Sequence, residues 1–150
     1  MNNFFMNEAI IEAKKALKNN DVPIGCVIVK DNKIIGRGYN TRNKLKSSIG
    51  HAEINAIIDA NKNLDNWVLE NCELYVTIEP CQMCSGAIIQ SRIKKVYFGA
   101  RDPKAGCVVS LYNLFNEKLF NHQVEYEEGI LKEECSKLVK DFFKSLRRTK

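Results

Sequence analysis

Gly50-His51-Ala52-Glu53-Ile54-Asn55-Ala56-Ile57-Ile58 and, after an interval of 26 residues from Glu53, Pro80-Cys81-Gln82-Met83-Cys84 decide how this chain is read. One imidazole and two thiols are ligands of the kind that bind zinc. Three protein ligands leave the fourth tetrahedral position to water, which separates a catalytic zinc site from a closed structural one. Glu53 lies two residues from the imidazole and is not needed as a ligand. Its carboxylate is therefore placed to move protons between that water and a substrate. Apolar positions 54, 57 and 58 predict a helix starting near His51. Residues 81–91 predict a second helix, entered through Pro80. Cys81 and Cys84, three residues apart, share a face of that helix's first turn. His51 and Glu53 do not share a face, because two helical residues differ by about 200°. They converge on a metal only if it sits beyond the helix end. Two helix N-termini are thus expected to point at one ion, their positive dipole ends favouring thiolate over thiol.

Other readings of the same residues make different demands. A redox pair of the thioredoxin type uses Cys-x-x-Cys in another strand-helix context and has no need of His-x-Glu. A closed structural site needs a fourth ligand from Cys26, Cys72, Cys107, Cys135 or His122. Cys72 begins a predicted strand whose far end leads into the site, which at about 3.3 Å per residue puts it roughly 20 Å away. Cys107 falls in a loop at the same end of the sheet and stays open as a fourth ligand. Individually, the cysteines outside the motif read as buried small hydrophobes, and His122 reads as structural.

Outward from the motif, apolar positions 5, 6, 9, 10, 13, 16 and 17 predict a helix over 3–19. Strands at 25–29 and 33–39 form a hairpin about Asp31-Asn32. Further strands are predicted at 72–78, 95–98 and 123–126, a short helix around 110–116, and a C-terminal helix from about Lys132. The long connection 99–121 permits a parallel crossover between the last two strands. The expected fold is α/β: a three-layer α/β/α sandwich around a central mixed five-stranded sheet. No repeat, linker or low-complexity stretch divides the chain, so residues 1–150 are expected to form a single domain. A hydrophobic fraction of 45% and a charged fraction of 27% are those of a soluble globular protein. No apolar run has the length of a membrane span, and Met1-Asn2-Asn3-Phe4-Phe5 lacks a signal-peptide pattern. Six cysteines without such a pattern predict reduced thiols and a cytoplasmic location. The net charge of +5 is compatible with a polyanionic partner.

His-x-Glu followed by Pro-Cys-x-x-Cys is the signature of zinc-dependent nucleobase deaminases, and the likeness extends along almost the whole chain. It is carried by Val22-Pro23-Ile24-Gly25, Gly38-Tyr39-Asn40, His51-Ala52-Glu53, Thr77-Ile78-Glu79-Pro80-Cys81-Gln82-Met83-Cys84-Ser85-Gly86-Ala87-Ile88 and Ser91-Arg92-Ile93. Phe98-Gly99-Ala100-Arg101-Asp102-Pro103-Lys104-Ala105-Gly106, Asn121-His122 and Gly129-Ile130-Leu131 complete it. The chain resembles the bacterial tRNA-editing adenosine deaminases of the cytidine-deaminase superfamily. Zinc binding belongs to the whole superfamily, whereas the Gly-Ala-Arg-Asp-Pro-Lys segment and the Phe-Phe near the C-terminus belong to the tRNA-editing branch.

The resemblance implies a homodimer that converts the wobble adenosine of an arginine tRNA anticodon to inosine. It implies one zinc per chain on His51, Cys81 and Cys84 and hydroxide attack at C6 of adenine. Glu53 would take the water's proton, deliver it to N1 and then to the departing ammonia. Asn40 matches a residue that hydrogen-bonds the base, the Ala52 backbone N–H another contact, and Asp102 a residue near the sugar and flanking nucleotide. Phe142 and Phe143, with nearby cations, match a C-terminal helix that contacts the anticodon stem-loop. One departure is visible: Ser47-Ser48-Ile49-Gly50 stands where the family usually has Asp-Pro-Thr-Ala or similar.

Taken by itself, Asn40 reads as a turn initiator before it reads as a site residue, and Asp102-Pro103 reads also as an ordinary turn. Lys137, Lys140, Lys144, Arg147 and Arg148 read equally as a solvated face beside the apolar stripe Cys135, Leu138, Val139, Phe142 and Leu146. Phe143 falls off that stripe and is the expected stacking residue for a splayed base. Tyr39, Trp67 and Tyr97 read as core. Three functions stay open: RNA editing, deamination of a free base or nucleoside of the guanine or cytosine type, and a non-enzymatic zinc-stabilised module. Glu53 argues against the last, and the basic C-terminal helix with the 99–106 segment argues against the second.

Overall fold

In the computed structural model, which describes residues 2–148, the elements run α1 (Asn2–Ala16), β1 (Gly25–Lys30), β2 (Lys33–Tyr39), α2 (Ala52–Leu64), β3 (Glu73–Ile78), α3 (Gln82–Gln90), β4 (Lys95–Ala100), β5 (Glu125–Glu128) and α4 (Lys132–Arg148). Met1, the first residue of the segment read for a signal peptide, lies outside the described residues. The sheet order is β2-β1-β3-β4-β5. β1 is antiparallel to β2 and β3, while β3, β4 and β5 run parallel. The mixed five-stranded sheet and its two helical layers are those expected. Side chains alternate across it: Val27, Val29, Tyr75 and Tyr97 face α1 and α4, and Cys26, Ile28, Leu74, Val76, Val96 and Phe98 face α2 and α3. Both faces are covered, which explains why the central strands are apolar at successive positions. Tyr75 and Tyr97, partners in the β3/β4 register, stack at 4.4 Å.

Local sequence sets the hairpin. Asp31 and Asn32 take positive φ angles of 51° and 62°, the two-residue turn whose twist matches that of the strands. At the other end of β2, Gly38 lets α2 lie directly on the strand: a Cβ there would come within 2.4 Å of Ala56 N and 2.5 Å of Ala52 O. That close approach brings the first turn of α2 to the end of β2, where the motif begins.

Several expectations are corrected. α1 ends at Ala16 and tightens into a 3₁₀ turn over Leu17–Asn19, closed by Asn20 in the left-handed region. The last strand starts two residues later than expected, because Gln123 donates to Glu117 O and Phe120 O and stays in the loop. The helix expected around 110–116 is reduced to a 3₁₀ turn over Leu114–Asn116. The amides of Val108, Val109 and Ser110 are committed to the Glu79 carboxylate, and that of Cys107 to Pro80 O. Trp67 is not core: it is 65% exposed, in a segment closed by Asn61 Nδ2 donating to Asn66 O and Trp67 O. Tyr97 is buried as expected and Tyr39 half-buried. His122 is tied to Ile93 O at 2.7 Å, in keeping with its structural reading. No described helix is long and apolar enough to cross a membrane.

Candidate metal and substrate site

His51 and Cys81 are not inside their helices. Each is the residue before the first turn, in extended backbone (φ −85°, ψ 154° and φ −78°, ψ 179°), and Cys84 follows within α3. Both helix N-termini therefore meet at one point, as the angular argument required. His51 Nδ1 lies 3.6 Å from Cys81 Sγ and 3.5 Å from Cys84 Sγ. A tetrahedral zinc with ordinary Zn–N and Zn–S bonds sets that N···S edge at about 3.6 Å, so the donor set and its spacing fit zinc. Among the described residues the metal-competent group comprises His51, Cys81 and Cys84. Cys107 is outside it, its thiol directed to Ala105 O at 3.5 Å and Gln82 Oε1 at 3.9 Å.

The hydrogen bond from the Cys84 thiol, reinforced by His51, pulls Cys81 down to about 4, while the same bond and burial push Cys84 up. The bond to Cys81 also holds His51 above its ordinary value. A metal entering here displaces protons from the pair and the ring.

Glu53, in the first turn of α2, is 4% exposed. Burial raises its carboxyl to about 7, the Cys81 thiolate adding to the effect and His51 opposing it. That is the range in which a carboxyl both takes and gives protons near neutrality.

A cavity of about 610 Å³ opens from this centre, lined in part by Asn40, Glu53, Asp102, Lys140 and Phe143. Of the site residues named from the sequence, Asn40, His51, Ala52, Glu53, Cys81, Asp102 and Phe143 line that cavity, whereas Cys84 is fully buried and does not, and of the α4 cations only Lys140 reaches it. Asn40 does two things at once. Its Nδ2 donates to Val22 O at 3.2 Å and its Oδ1 accepts from Arg42 N at 3.0 Å, so it also makes the turn of the alternative reading. One amide hydrogen and one lone pair remain for another partner. Ala52 is the first residue of α2, so its N–H belongs to those without an intrahelical acceptor. Asp102 Oδ1 accepts from Lys104 N and Ala105 N and closes the turn 102–105. Phe143 is 43% exposed and packs edge-on against buried Phe142 at 5.4 Å. Of the cations on α4, Lys137 is paired with Asp141, and Arg101 at the cavity edge is held bidentately by Glu128.

Two carboxylates escaped the sequence reading. Asp21, buried, accepts from Asn43 N at 2.6 Å and Lys44 N at 3.1 Å. It anchors the loop containing Ser47-Ser48-Ile49-Gly50, which is closed internally by Thr41 N donating to Gly50 O and delivers His51 to α2. Glu79, at the end of β3, accepts from the amides of Asp102, Val108, Val109 and Ser110 and from the Ser110 hydroxyl. Burial pushes it up, but the bonds from Ser110, Val109 and Asp102 outweigh this and hold it below the usual carboxylate value. The signal available beforehand was an acid directly after the apolar run 74–78.

Comparison with known proteins agrees with this geometry. The family model for the cytidine and deoxycytidylate deaminase zinc-binding region matches residues 1–100. A tRNA-specific adenosine deaminase of Bacillus subtilis (strain 168) is 51% identical over 146 residues, covering 97% of this chain and 91% of the relative. One from Aquifex aeolicus (strain VF5) is 47% identical over 144 residues, covering 96% and 95%. A solved structure from a study of A-to-I editing by tRNA:A34 deaminases at the wobble position superposes with a TM-score of 0.87 at 38% identity, covering 90% of this chain and 98% of that one. A guanine deaminase from Nitrosomonas europaea shares the fold at a TM-score of 0.80 and 22% identity, covering 93% and 83%. Since the matched region contains both helix starts and all three metal-competent side chains, this chain belongs to the cytidine and deoxycytidylate deaminase family.

Proposed function

We propose that this chain hydrolytically deaminates the wobble adenosine of a tRNA anticodon to inosine, that of an arginine tRNA being the expected target. The observation that carries the reading is a continuous cavity that runs from His51, Cys81 and Glu53 past Asp102 to Phe143 and Lys140 on α4. A free base needs only the inner end of such a site; the outer end has an aromatic face and a cation, the groups that hold unstacked RNA nucleotides. The Bacillus subtilis and Aquifex aeolicus relatives are tRNA-specific adenosine deaminases, and the match covers 91% and 95% of their lengths.

In the reaction, water adds at C6 and ammonia leaves: a C6–O bond forms, and the C6–N bond to the amino group breaks. His51, Cys81 and Cys84 would hold zinc, which when bound supplies the Lewis acidity that makes water a nucleophile near neutral pH. Glu53 accepts the proton that water gives up as it adds and passes it to N1 of the ring; it then takes the second proton, from the new C6 hydroxyl, and gives it to the departing amino group as C6=O forms. Its burial and raised carboxyl suit both directions of transfer. The remaining donor of Asn40 and the Ala52 N–H hold the base, Phe143 stacks on a neighbouring one, and the Asp102 loop contacts the sugar and flanking nucleotide. Within this reading residues 1–150 act as one cytoplasmic zinc-dependent domain that works as a homodimer; exposed Ile58, Trp67, Leu111 and Leu119 offer apolar surface for a second copy.

Steady-state assays on an arginine-tRNA anticodon stem-loop and on free adenosine, guanine and cytosine test the proposal. Inosine should form in the stem-loop, with free adenosine a poor substrate because it lacks the outer contacts. Turnover of a free base with the stem-loop unedited would place the chain among the deaminases of metabolites instead.

A further inference from the structure

Glu79 is 3% exposed, yet among the described residues its carboxylate forms no ion pair. It is compensated by hydrogen bonds from one loop. Oε1 accepts from Asp102 N at 3.0 Å and Ser110 Oγ at 2.5 Å; Oε2 accepts from the amides of Val108, Val109 and Ser110 at 3.1, 2.8 and 2.9 Å. The loop closes over the carboxylate only because Gly106 has no side chain: a Cβ there would lie 2.3 Å from Glu79 Cδ. On the other side, Glu79 leads through Pro80 into Cys81. Pro80 O accepts from Cys107 N at 2.9 Å, and Cys81 bridges to Gly106. One side chain thus joins the entrance of the metal helix to the loop that presents Asp102.

We propose that Glu79 is a positioning residue for the substrate, fixing the Asp102 loop at a set distance from the metal ligands. The proposal rests on the reading of Asp102 as a substrate contact. Buried charged hydrogen bonds are worth more than neutral ones and leave a costly orphan when one partner goes. A displacement of about 1 Å in a substrate-holding group can cost about 10²-fold in rate.

Glu79→Gln separates positioning from packing, because it preserves volume. The amide oxygen can go on accepting from Val108, Val109 and Ser110, and the amide NH₂ can donate to Ser110 Oγ. Toward Asp102 N–H, however, it turns a donor against a donor. The variant therefore frees the attachment of Asp102 in particular. The experiment takes the zinc-loaded wild-type chain, Glu79→Gln, Ser110→Ala, Asp102→Ala and the Glu79→Gln/Asp102→Ala double variant. It measures zinc content, amide hydrogen exchange, and kcat and KM on the anticodon stem-loop. In Glu79→Gln, zinc content should match wild type while exchange at Asp102 accelerates about tenfold or more. kcat/KM should fall about 10²-fold, and adding Asp102→Ala should cost less than about twofold further, since both changes remove one function. Wild-type exchange at Asp102, loss of zinc in Glu79→Gln, or additive effects of the two substitutions would each overturn the proposal. Should Glu79→Gln not fold, Ser110→Ala carries the test: faster exchange at 102 and reduced kcat/KM with full zinc support it, and wild-type values for both overturn it. A wild-type chain that leaves the stem-loop unedited removes the functional reading instead, and exchange at Asp102 then decides alone whether Glu79 holds the loop.

Discussion

On one wall of the cavity, His51 and Cys81 stand each at a helix start and Glu53 in the first turn of α2, backed by fully buried Cys84 in the first turn of α3. On the other wall, Asn40 comes from the end of β2, Asp102 from the loop after β4, and Phe143 and Lys140 from α4. The first wall is built from two short segments. Within each, spacing along the chain sets spacing in space, and the fold only has to bring two helix N-termini together, across separations of 30 and 33 residues. The second wall is assembled from segments far apart in sequence, held by Asp21 under one loop and Glu79 under another. The difference teaches where chemistry and choice reside. Bond-breaking groups need rigid supports, whereas groups that select a large substrate can lie on loops held by a buried anchor, as Asp21 holds the loop that contains Ser47-Ser48-Ile49-Gly50 and leads to His51 at its cap. Damage to the first wall should then affect every substrate alike, and damage to the second should affect only substrates long enough to reach it.

The largest effect is expected for Cys84→Ala, which breaks the first wall outright. Metal analysis should show zinc largely lost, deamination should vanish for all substrates, and thermal stability should fall because metal binding contributes to folding. A metal-loaded structure in which Cys107 completes the coordination would undo the distinction. Glu53→Ala comes next and sharpens it. The variant should keep its fold and zinc while the rate on the stem-loop drops about 10⁴-fold, the upper end for a general acid/base that serves several transfers. Activity within a few-fold of wild type would remove Glu53 from the mechanism.

On the second wall the expected losses are smaller and selective. Phe143→Ala should weaken the stem-loop by about 5- to 150-fold, the worth of stacking one base, and leave residual turnover of free adenosine unchanged; equal losses on both substrates would make Phe143 part of the chemistry. The smallest effect is expected for Lys144→Glu with Arg147→Glu. Binding of the stem-loop should weaken modestly, zinc content should not change, and the salt dependence should flatten by about 0.7 in log–log slope for each phosphate that is no longer neutralised. An unchanged slope in a titration across salt would take these cations out of the RNA path.

The sequence by itself determined the metal triad, the spare carboxylate, the hairpin at Asp31-Asn32 and the alternation that layers the sheet, because each is written in one or two short runs of residue types that few other roles require. The tertiary structure alone decided that Cys107 turns away from the metal toward Ala105 O, that Trp67 stays outside the core, and that Asn40 serves as turn and cavity wall together. It alone revealed Glu79 as the anchor of the loop that carries Asp102. The physical reason lies in the donors: all but one of the groups that bind Glu79 are backbone N–H, at separations of 23 to 31 residues. Every non-proline residue carries that same N–H, so no residue type marks which ones will converge, and only the closure of the fold over Gly106 selects them.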